Sequence, residues 1–269
     1  MFPRIMRPLF KRLYYTYWPG RSGALRYYGV DLYFAKHSHL LHRVCEEDVY
    51  EQDNIDVISA LLPEGACYFD VGANIGLTSV PILAENPTCR VVSFEPSPGA
   101  LPLLLRTHMK AHFSERWTVV GKAVGAGVGS GEFCAFNAEK SAFDGLKNTG
   151  RVGAGGTMHQ VAITTLDFEW SLLGCPSVAV IKIDVEGAEL GVLRGGEACI
   201  AAAKPTILLE WNERNLAAHG CLPDALLEWS RCSKYSIHAL PYGTTIDTVP
   251  LLRAMMVKTE DFLLVPRDN

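Results

Sequence analysis

The sequence predicts an α/β fold: a doubly wound, mostly parallel sheet of seven strands with helices on both faces, preceded by an N-terminal accessory segment. Short apolar runs alternate with amphipathic stretches over most of the chain, which is typical of repeated strand–helix units. A glycine-rich turn directly follows the first strong strand, between residues 67 and 79. The 269 residues leave room for one large domain and a short segment, which we place at 48–269 and 1–47.

The elements follow from apolar periodicity and from the turn residues between them. Strands are predicted at 27–34, up to Asp70, and at 90–94, 117–120, 160–165, 178–183, 206–210, 235–240 and 261–265. Helices are predicted at 48–62, 76–85, 101–112 and 223–232, with another through residue 203 that Gly195-Gly196 breaks. Residues 125–136 are expected to form a hairpin that turns near Ser130-Gly131. The long loop 137–159 is expected to act as a lid, since such loops are usually functional or mobile.

Composition describes an ordinary globular protein. Hydrophobic residues make up 48% and charged residues 20%, and the net charge of −4 gives no drive toward nucleic acid, so we expect no such partner. The eight cysteines show no C-x-x-C pair and no zinc-type spacing, which favours a reducing, cytoplasmic setting. No stretch has the roughly 20 apolar residues that span a bilayer, and the first residues do not form a signal peptide.

Residues 1–30 form a basic and aromatic arm without an acidic side chain. Such an arm could rest on an anionic membrane surface or hold a polyanion. Alternatively it packs over the domain or over a second subunit of a homo-oligomer, with its charges in solvent. The breaks at Pro3, Pro8 and Pro19 favour packing, because they interrupt any long amphipathic helix.

The glycine-rich turn is typical of a nucleotide-type cofactor loop. Asp70 ends the strand, and Gly72 and Gly76 bracket a turn whose missing side chains let a ligand approach the backbone. Free N–H groups at the start of the next helix would face that ligand. A dinucleotide loop needs a third glycine, but Leu77 follows Gly76. The acidic-Gly-x-x-x-Gly spacing fits the loop of class I S-adenosylmethionine methyltransferases better, although any βα unit can carry a glycine-rich turn.

Two further acidic positions close predicted strands. Glu95 ends the second strand of the sheet about twenty residues after the loop, where a carboxylate can accept both ribose hydroxyls. The alternative is a solvated acid at a strand end. Asp184 and Glu186 follow the apolar strand 178–183, and Glu189 is expected to cap the helix after them.

Together, FDVGANIG at 69–76 and KIDVEGAE at 182–189 resemble the FkbM-type family of S-adenosylmethionine-dependent methyltransferases. Segments 144–151 and 164–167 look like further family elements, and the resemblance runs from about residue 45 to the end. It implies a class I methyltransferase (Rossmann-like) sheet with a final antiparallel strand. It also implies methyl transfer from S-adenosyl-L-methionine, leaving S-adenosyl-L-homocysteine, to a hydroxyl of a sugar, glycan or polyketide-type natural product.

Candidate site residues fall into two binding groups. Those expected at the cofactor are Glu51, Asp70, Gly72, Ala73, Asn74, Gly76, Thr78, Glu95, Pro96, Ser97, Ala123 and Asp184. Those expected at the acceptor are Glu186 and, by resemblance only, Asp144 and Arg151.

A hydroxyl is a poor nucleophile at neutral pH, so a positioned base is expected. Asp184 is the first candidate, because carboxyl ends of the strands hold the ligands of doubly wound sheets. Lys182 points to the same face of the sheet, and Glu210 closes the adjacent strand as a partner or second base. His159, beside the long loop, is a reserve candidate. Alternatively Lys182, Asp184 and Glu210 form a structural ion-pair network.

Two other functions stay open at this stage. One is an NAD(P)-dependent dehydrogenase or epimerase. The missing third glycine and the lack of a Tyr-x-x-x-Lys pair count against this function. The other is a module that binds S-adenosylmethionine without catalysis. The sequence shows no separated Asp cluster of a magnesium-dependent O-methyltransferase, so we predict no metal.

Overall fold

The computed structural model describes residues 13, 23–35, 38–136, 144–147, 149 and 156–267. Its strands are β1 (Ala24–Tyr27), β2 (Val30–Tyr33), β3 (Cys67–Val71), β4 (Arg90–Phe94), β5 (Trp117–Val120), β6 (Ala123–Val124), β7 (Gly129–Ala135), β8 (Thr157–Thr164), β9 (Val178–Ile183), β10 (Thr206–Glu210), β11 (Tyr235–Ala239), β12 (Thr244–Ile246) and β13 (Asp261–Pro266). Its helices are α1 (His39–Glu47), α2 (Gln52–Leu61), α3 (Ser79–Glu85), α4 (Leu101–Lys110), α5 (Leu166–Leu172), α6 (Glu189–Arg194), α7 (Glu197–Ala203), α8 (Glu213–Ala218), α9 (Ala225–Ser233) and α10 (Val249–Met256).

The central sheet has the strand order β12-β11-β13-β10-β9-β3-β4-β5. The five strands from β10 to β5 pair in parallel, and β13 runs antiparallel between β10 and β11. The predicted fold class is therefore confirmed. The described sheet has eight strands instead of seven, because β12 pairs with β11 in a hairpin that the sequence analysis missed.

Both faces of this sheet are covered by hydrophobic side chains. Tyr68 and Val180 enter the core on one face, and Phe69 and Ile181 enter the core on the other. Successive residues of a strand point to opposite faces, so a strand that is buried on both faces becomes a continuous apolar run. This is why the sequence alone predicted β4, β9 and β10 with their observed bounds.

A small second sheet has the order β6-β8-β7. The prediction of a hairpin within 125–136 was wrong: Ser130 and Gly131 lie inside β7, opposite Ala162 and Val161 of the distant β8. A Cβ at Gly131 would lie 2.7 Å from the Ile163 side chain, so this glycine serves close packing and not a turn. The predicted lid between the two strands falls mostly outside the described residues.

The described part of the N-terminal segment packs on the same core as the large sheet. Leu32 of β2 and Leu41 of α1 are buried there with Ile55 of α2. The predicted strand 27–34 is instead the hairpin of β1 and β2, which turns at Tyr28-Gly29. Most of the basic arm lies outside the described residues, and the division at 47/48 stays a prediction.

The helix predicted at 48–62 is shorter in the structure, where α2 begins at Gln52. Asp48 and Glu51 have φ angles of +65° and +50°, which form a turn between α1 and α2. No helix within the described residues combines the length and hydropathy needed to cross a bilayer.

Candidate active site

A cleft opens at the carboxyl ends of β3, β4 and β9, where the strand order reverses. It encloses about 830 Å³, counting the open solvent at its mouth. Most residues predicted for the cofactor line it, namely Gly72, Ala73, Asn74, Thr78, Glu95, Pro96, Ala123 and Asp184. Lys182, Asp144 and Glu186, predicted for catalysis or for the acceptor, line it as well.

The glycine loop follows β3 and passes very close to the end of β9. Gly72 has a φ of +87°, and a Cβ on it would lie 1.8 Å from the Asp184 carbonyl oxygen. The absence of a side chain therefore permits the approach of two strands, which is not the reason that the sequence suggested.

The backbone amides of this loop are largely used inside the chain. The N–H groups of Gly72 and Ala73 donate to the Phe94 carbonyl at 3.0 and 3.1 Å, and that of Gly76 donates to Ala73. The free N–H groups were expected at the start of the next helix, and there the amides of Gly76 and Val80 donate to the carbonyls of Ala73 and Gly76. Gly76 itself lies against Leu104 and Trp117 instead of lining the cleft.

Asp70 is fully buried behind the loop and does not line the cleft, and its role at the cofactor stays a prediction. Its Oδ2 accepts hydrogen bonds from the hydroxyls of Thr78, at 2.7 Å, and Ser79. Ser93 joins Ser79 to the Trp117 indole N–H. This buried network fastens the end of β3 to the start of α3.

Glu95 faces the cleft while also closing the loop. One carboxylate oxygen accepts from the Asn74 amide and the other from the Ser97 amide, both at 2.7 Å. Burial raises the pKa of Glu95 to about 7, although these two backbone hydrogen bonds lower it. Each oxygen keeps a second lone pair that can accept a ligand hydroxyl.

Asp144 lies on the Glu95 side of the cleft. Its Oδ2 accepts from the Ser97 hydroxyl at 2.6 Å, and its Oδ1 accepts from the Phe136 amide at 2.7 Å. Burial raises the pKa of Asp144. Ser97 also accepts from the Gly99 amide at the entry to α4, so it braces the wall instead of lining it. Arg151 lies outside the described residues.

Lys182 and Asp184 form an ion pair at the other side of β3. The Lys182 ammonium donates to Asp184 Oδ2 at 2.8 Å and lies 3.9 Å from a Glu51 carboxylate oxygen. Burial alone would lower the pKa of Lys182, but the Asp184 and Glu51 carboxylates hold it well above its ordinary value. Glu51 thus reaches the site through Lys182 and does not itself line the cleft.

Three carboxylates converge at the ends of β9 and β10. One oxygen each of Asp184, Glu186 and Glu210 lies within 4.8 Å of the others. Burial, Asp184 and Glu186 together hold the pKa of Glu210 well above its ordinary value. The Asn215 amide donates to Glu186 at 2.8 Å and to Glu210 at 3.5 Å. Carboxylate oxygens suit hard cations, but such groups also converge without one, and the absence of a metal stays a prediction.

Sequence reasoning missed Asn215 and Tyr50. Tyr50 lines the cleft from the turn between α1 and α2, and no motif marks that turn. Asn215 lies five residues past the strand-ending Glu210, where its carboxamide could have been considered as a partner. His159, the reserve base, lies on β8 opposite Phe133 and outside the lining of the cleft.

Glu189 is the first residue of α6, the helix that it was predicted to cap, and its carboxylate binds the turn before that helix. Its Oε1 accepts from the Gly187 amide at 2.8 Å and from the Val185 amide at 3.3 Å. It is 2% exposed, and burial raises its pKa to about 7. The turn that carries Glu186 is therefore held from within the protein.

A second groove adjoins the cleft. Leu146 lines both, and Gly187 of the groove directly follows Glu186 of the cleft. His219 lies in this groove, and burial together with Lys147 lowers its pKa, which favours the neutral imidazole.

A doubly wound sheet with a glycine loop after its first parallel strand and an acid after the second is typical of the methyltransferase class that the sequence suggested. Residues 70–235 match the family model described as the methyltransferase FkbM domain, and this range is more than half of the chain. The chain therefore belongs to the FkbM methyltransferase family.

A curated relative is the AMB antimetabolite synthetase AmbE of Pseudomonas aeruginosa, which is 28% identical over 221 residues. The match covers 69% of this chain and 10% of that protein. This chain thus spans about a tenth of the length of that relative.

Solved structures with similar folds include methyltransferases. The methyltransferase FkbM from Methylobacillus flagellatus KT is 19% identical, with a TM-score of 0.49 over 86% of this chain and 56% of that one. The O-methyltransferase NcsB1 from neocarzinostatin biosynthesis, solved with S-adenosylmethionine and 2-hydroxy-5-methyl naphthoic acid, is 14% identical. Its TM-score is 0.40 over 83% of this chain and 53% of that one.

Proposed function

We propose that this methyltransferase uses S-adenosyl-L-methionine to methylate a hydroxyl of a sugar, glycan or polyketide-type small molecule. The observation that carries the proposal is the division of one cleft by β3. Glu95, an acceptor of hydrogen bonds, lies on the β4 side, and the Asp184 carboxylate lies on the β9 side. A cofactor site and a proton acceptor would thus share one cavity.

The cleft fits the proposed cofactor in its chemistry. The buried Glu95 carboxylate has lone pairs free for two ribose hydroxyls. Apolar residues such as Leu77 and Phe94 offer a surface for an adenine ring. The carboxylates near Asp184 suit the positive charge of a sulfonium.

The chain's own part in the reaction would be alignment and deprotonation. The cofactor, when bound, supplies the methyl carbon that the acceptor oxygen attacks. Asp184 accepts the hydroxyl proton, and Lys182 holds the Asp184 carboxylate in position through the hydrogen bond at 2.8 Å. Glu210, whose pKa burial and Asp184 hold well above its ordinary value, lies beside Asp184 and is the second candidate to take up that proton.

A neutral hydroxylated acceptor suits the charge of this region. The carboxylates of Asp184, Glu186 and Glu210 would repel a phosphate backbone, in agreement with a net charge of −4. The second groove, which meets the cleft at Leu146, offers the acceptor a route to Asp184. The name of the curated relative, an antimetabolite synthetase, is consistent with a natural-product acceptor.

Location and assembly are further proposals. We propose a cytoplasmic protein whose residues 1–30 contact a membrane surface or a second subunit. Those residues lie largely outside the described part of the chain, so their sequence alone supports the proposal.

Methyl-labelled S-adenosyl-L-methionine tests the activity. The protein is incubated with panels of sugars, glycans and polyketide alcohols, and labelled products are identified by mass spectrometry with the position of the methyl group. Label on oxygen is the expected result. Label on nitrogen or carbon would contradict the hydroxyl assignment, and binding without transfer to any panel member would favour a non-catalytic module.

A further inference from the structure

The turn between α1 and α2 supplies part of the cleft from outside the family-matched range. Tyr50 of this turn and Leu40 of α1 line the cleft, whereas the match begins at residue 70. The turn is bounded by Asp48 and Glu51, two non-glycine residues with left-handed backbone. Such backbone is unfavourable for these residue types and persists only where the surroundings enforce it.

The side chains of Asn54 and Glu51 hold this turn against β13 and β9. The Asn54 carboxamide donates to Glu51 at 3.4 Å and to Asp261 of β13 at 3.3 Å. Glu51 lies 3.9 Å from the Lys182 ammonium, which in turn donates to Asp184. Tyr50 lines the same cleft as Asp184 and lies close enough for that carboxylate to raise the pKa of its phenol. It therefore stands at the Asp184 side of the cleft, where the transferred methyl group must lie under the proposed function.

The surroundings of Tyr50 keep its ring neutral. Burial, followed by the Glu51 and Asp184 carboxylates, holds the pKa of the Tyr50 phenol well above its ordinary value. The guanidinium of Arg43 already lies over this ring, 5.4 Å from its centroid. An electron-rich ring beside carboxylates is a favourable neighbour for a cation.

We propose that Tyr50, which lines the cleft, and Glu51, which lies behind the lining against Lys182, form a charge-selective wall that prefers the sulfonium substrate over the thioether product. The proposal rests on the proposed function, because it assumes an S-adenosylmethionine cofactor. S-adenosyl-L-methionine carries a positive sulfur, and S-adenosyl-L-homocysteine, after losing the methyl group, carries a neutral one. An aromatic ring and a nearby carboxylate attract the charged sulfonium more strongly than the neutral thioether, so the wall would retain the substrate and ease release of the product.

The test compares the affinities of the two cofactor forms by calorimetry in the full chain. Tyr50→Leu and Glu51→Gln are each expected to weaken S-adenosyl-L-methionine by about 3- to 10-fold, with less than about 2-fold change for S-adenosyl-L-homocysteine. Tyr50→Phe keeps the ring and should keep the ratio of affinities. Glu46→Gln, at an exposed acid on the neighbouring α1, removes the same charge as Glu51→Gln and is the matched control.

The outcomes separate the two proposals. Equal loss of both ligands in Tyr50→Leu and Glu51→Gln, or no loss of either, would overturn the charge-selective wall while leaving the cofactor assignment intact. Failure of the unaltered protein to bind either ligand would overturn the proposed function itself. If Tyr50→Leu does not fold, Tyr50→Phe and Glu51→Gln still test the wall. Only Glu51→Gln should then change the ratio of the affinities for the two cofactor forms.

Discussion

Asp70 and Glu95 show how surroundings divide the roles of two buried acids at neighbouring strand ends. Asp70 accepts the hydroxyls of Thr78 and Ser79 on one carboxylate oxygen, so it fastens α3 to β3. Glu95 receives only two backbone amides and borders the cleft, so it can also serve a ligand. Both were predicted to bind the cofactor, and only the three-dimensional neighbours distinguish them.

Glu95→Ala is expected to weaken S-adenosyl-L-homocysteine by roughly 1–3 kcal/mol, the scale of lost hydrogen bonds to a charged group. Isothermal calorimetry measures the loss, and Glu132→Ala at an exposed position of β7 is the control. Unchanged affinity in a folded Glu95→Ala protein would refute the ribose assignment.

Glu189 should make stability depend on pH. Because its pKa is raised to about 7 in the folded protein, the folded state holds a proton that the unfolded state loses above about pH 4.5. The free energy of unfolding therefore loses this contribution as pH rises from about 4.5 to about 7. Glu189→Gln should flatten that part of the curve in denaturant titrations. An unaltered slope would show that Glu189 ionises normally.

At the scale of elements, the glycine loop and the end of β9 are packed as one unit. The Asp184 amide donates to the Val71 carbonyl at 3.0 Å, and Gly72 leaves no space for a side chain beside the Asp184 carbonyl. The position of the proposed base therefore depends on the loop that borders the proposed cofactor. A change at Gly72 should disturb both.

Gly72→Ala is expected to destabilise the protein more than Gly65→Ala. Both glycines have positive φ, at +87° and +77°, but a Cβ at Gly65 meets nothing within 4 Å. Gly65→Ala thus measures only the loss of unfolding free energy that a Cβ causes at positive φ, about 1–2 kcal/mol. The additional loss in Gly72→Ala measures the clash with β9. Equal midpoints in denaturant unfolding would contradict the close packing.

The adjacent ends of β9 and β10 allow a test of the base. Asp184→Asn keeps the shape but cannot take a proton at neutral pH, so single-turnover methyl transfer should fall by about 10²–10⁴-fold with little change in cofactor affinity. If the cluster is only structural, the same change should lower the melting temperature, because Lys182 loses its partner. Near-normal transfer rates in both Asp184→Asn and Glu210→Gln would reject both carboxylates as the base.

At the level of the whole molecule, the sequence predicted those features that depend on a local pattern of residues. The central parallel strands are buried on both faces, so apolar runs such as Val178–Ile183 mark their full length. The glycine loop and the acids after β4 and β9 follow from short motifs, and all border one cleft.

The missed features depend on residues far apart in the chain. β7 pairs with β8 across more than twenty residues, so local turn signals at Ser130-Gly131 misled the prediction. The carboxylate cluster joins Glu186 to Glu210, and Glu51 reaches Lys182 from a turn with no motif. Such tertiary contacts leave no local period for a single sequence to display.

Calorimetry of the unaltered protein with S-adenosyl-L-homocysteine and with NAD tests the central claim most directly, because it needs no knowledge of the acceptor. We expect one S-adenosyl-L-homocysteine to bind per chain and NAD to give no heat, since the loop lacks the third glycine of a dinucleotide site. Binding of NAD without binding of S-adenosyl-L-homocysteine would contradict it.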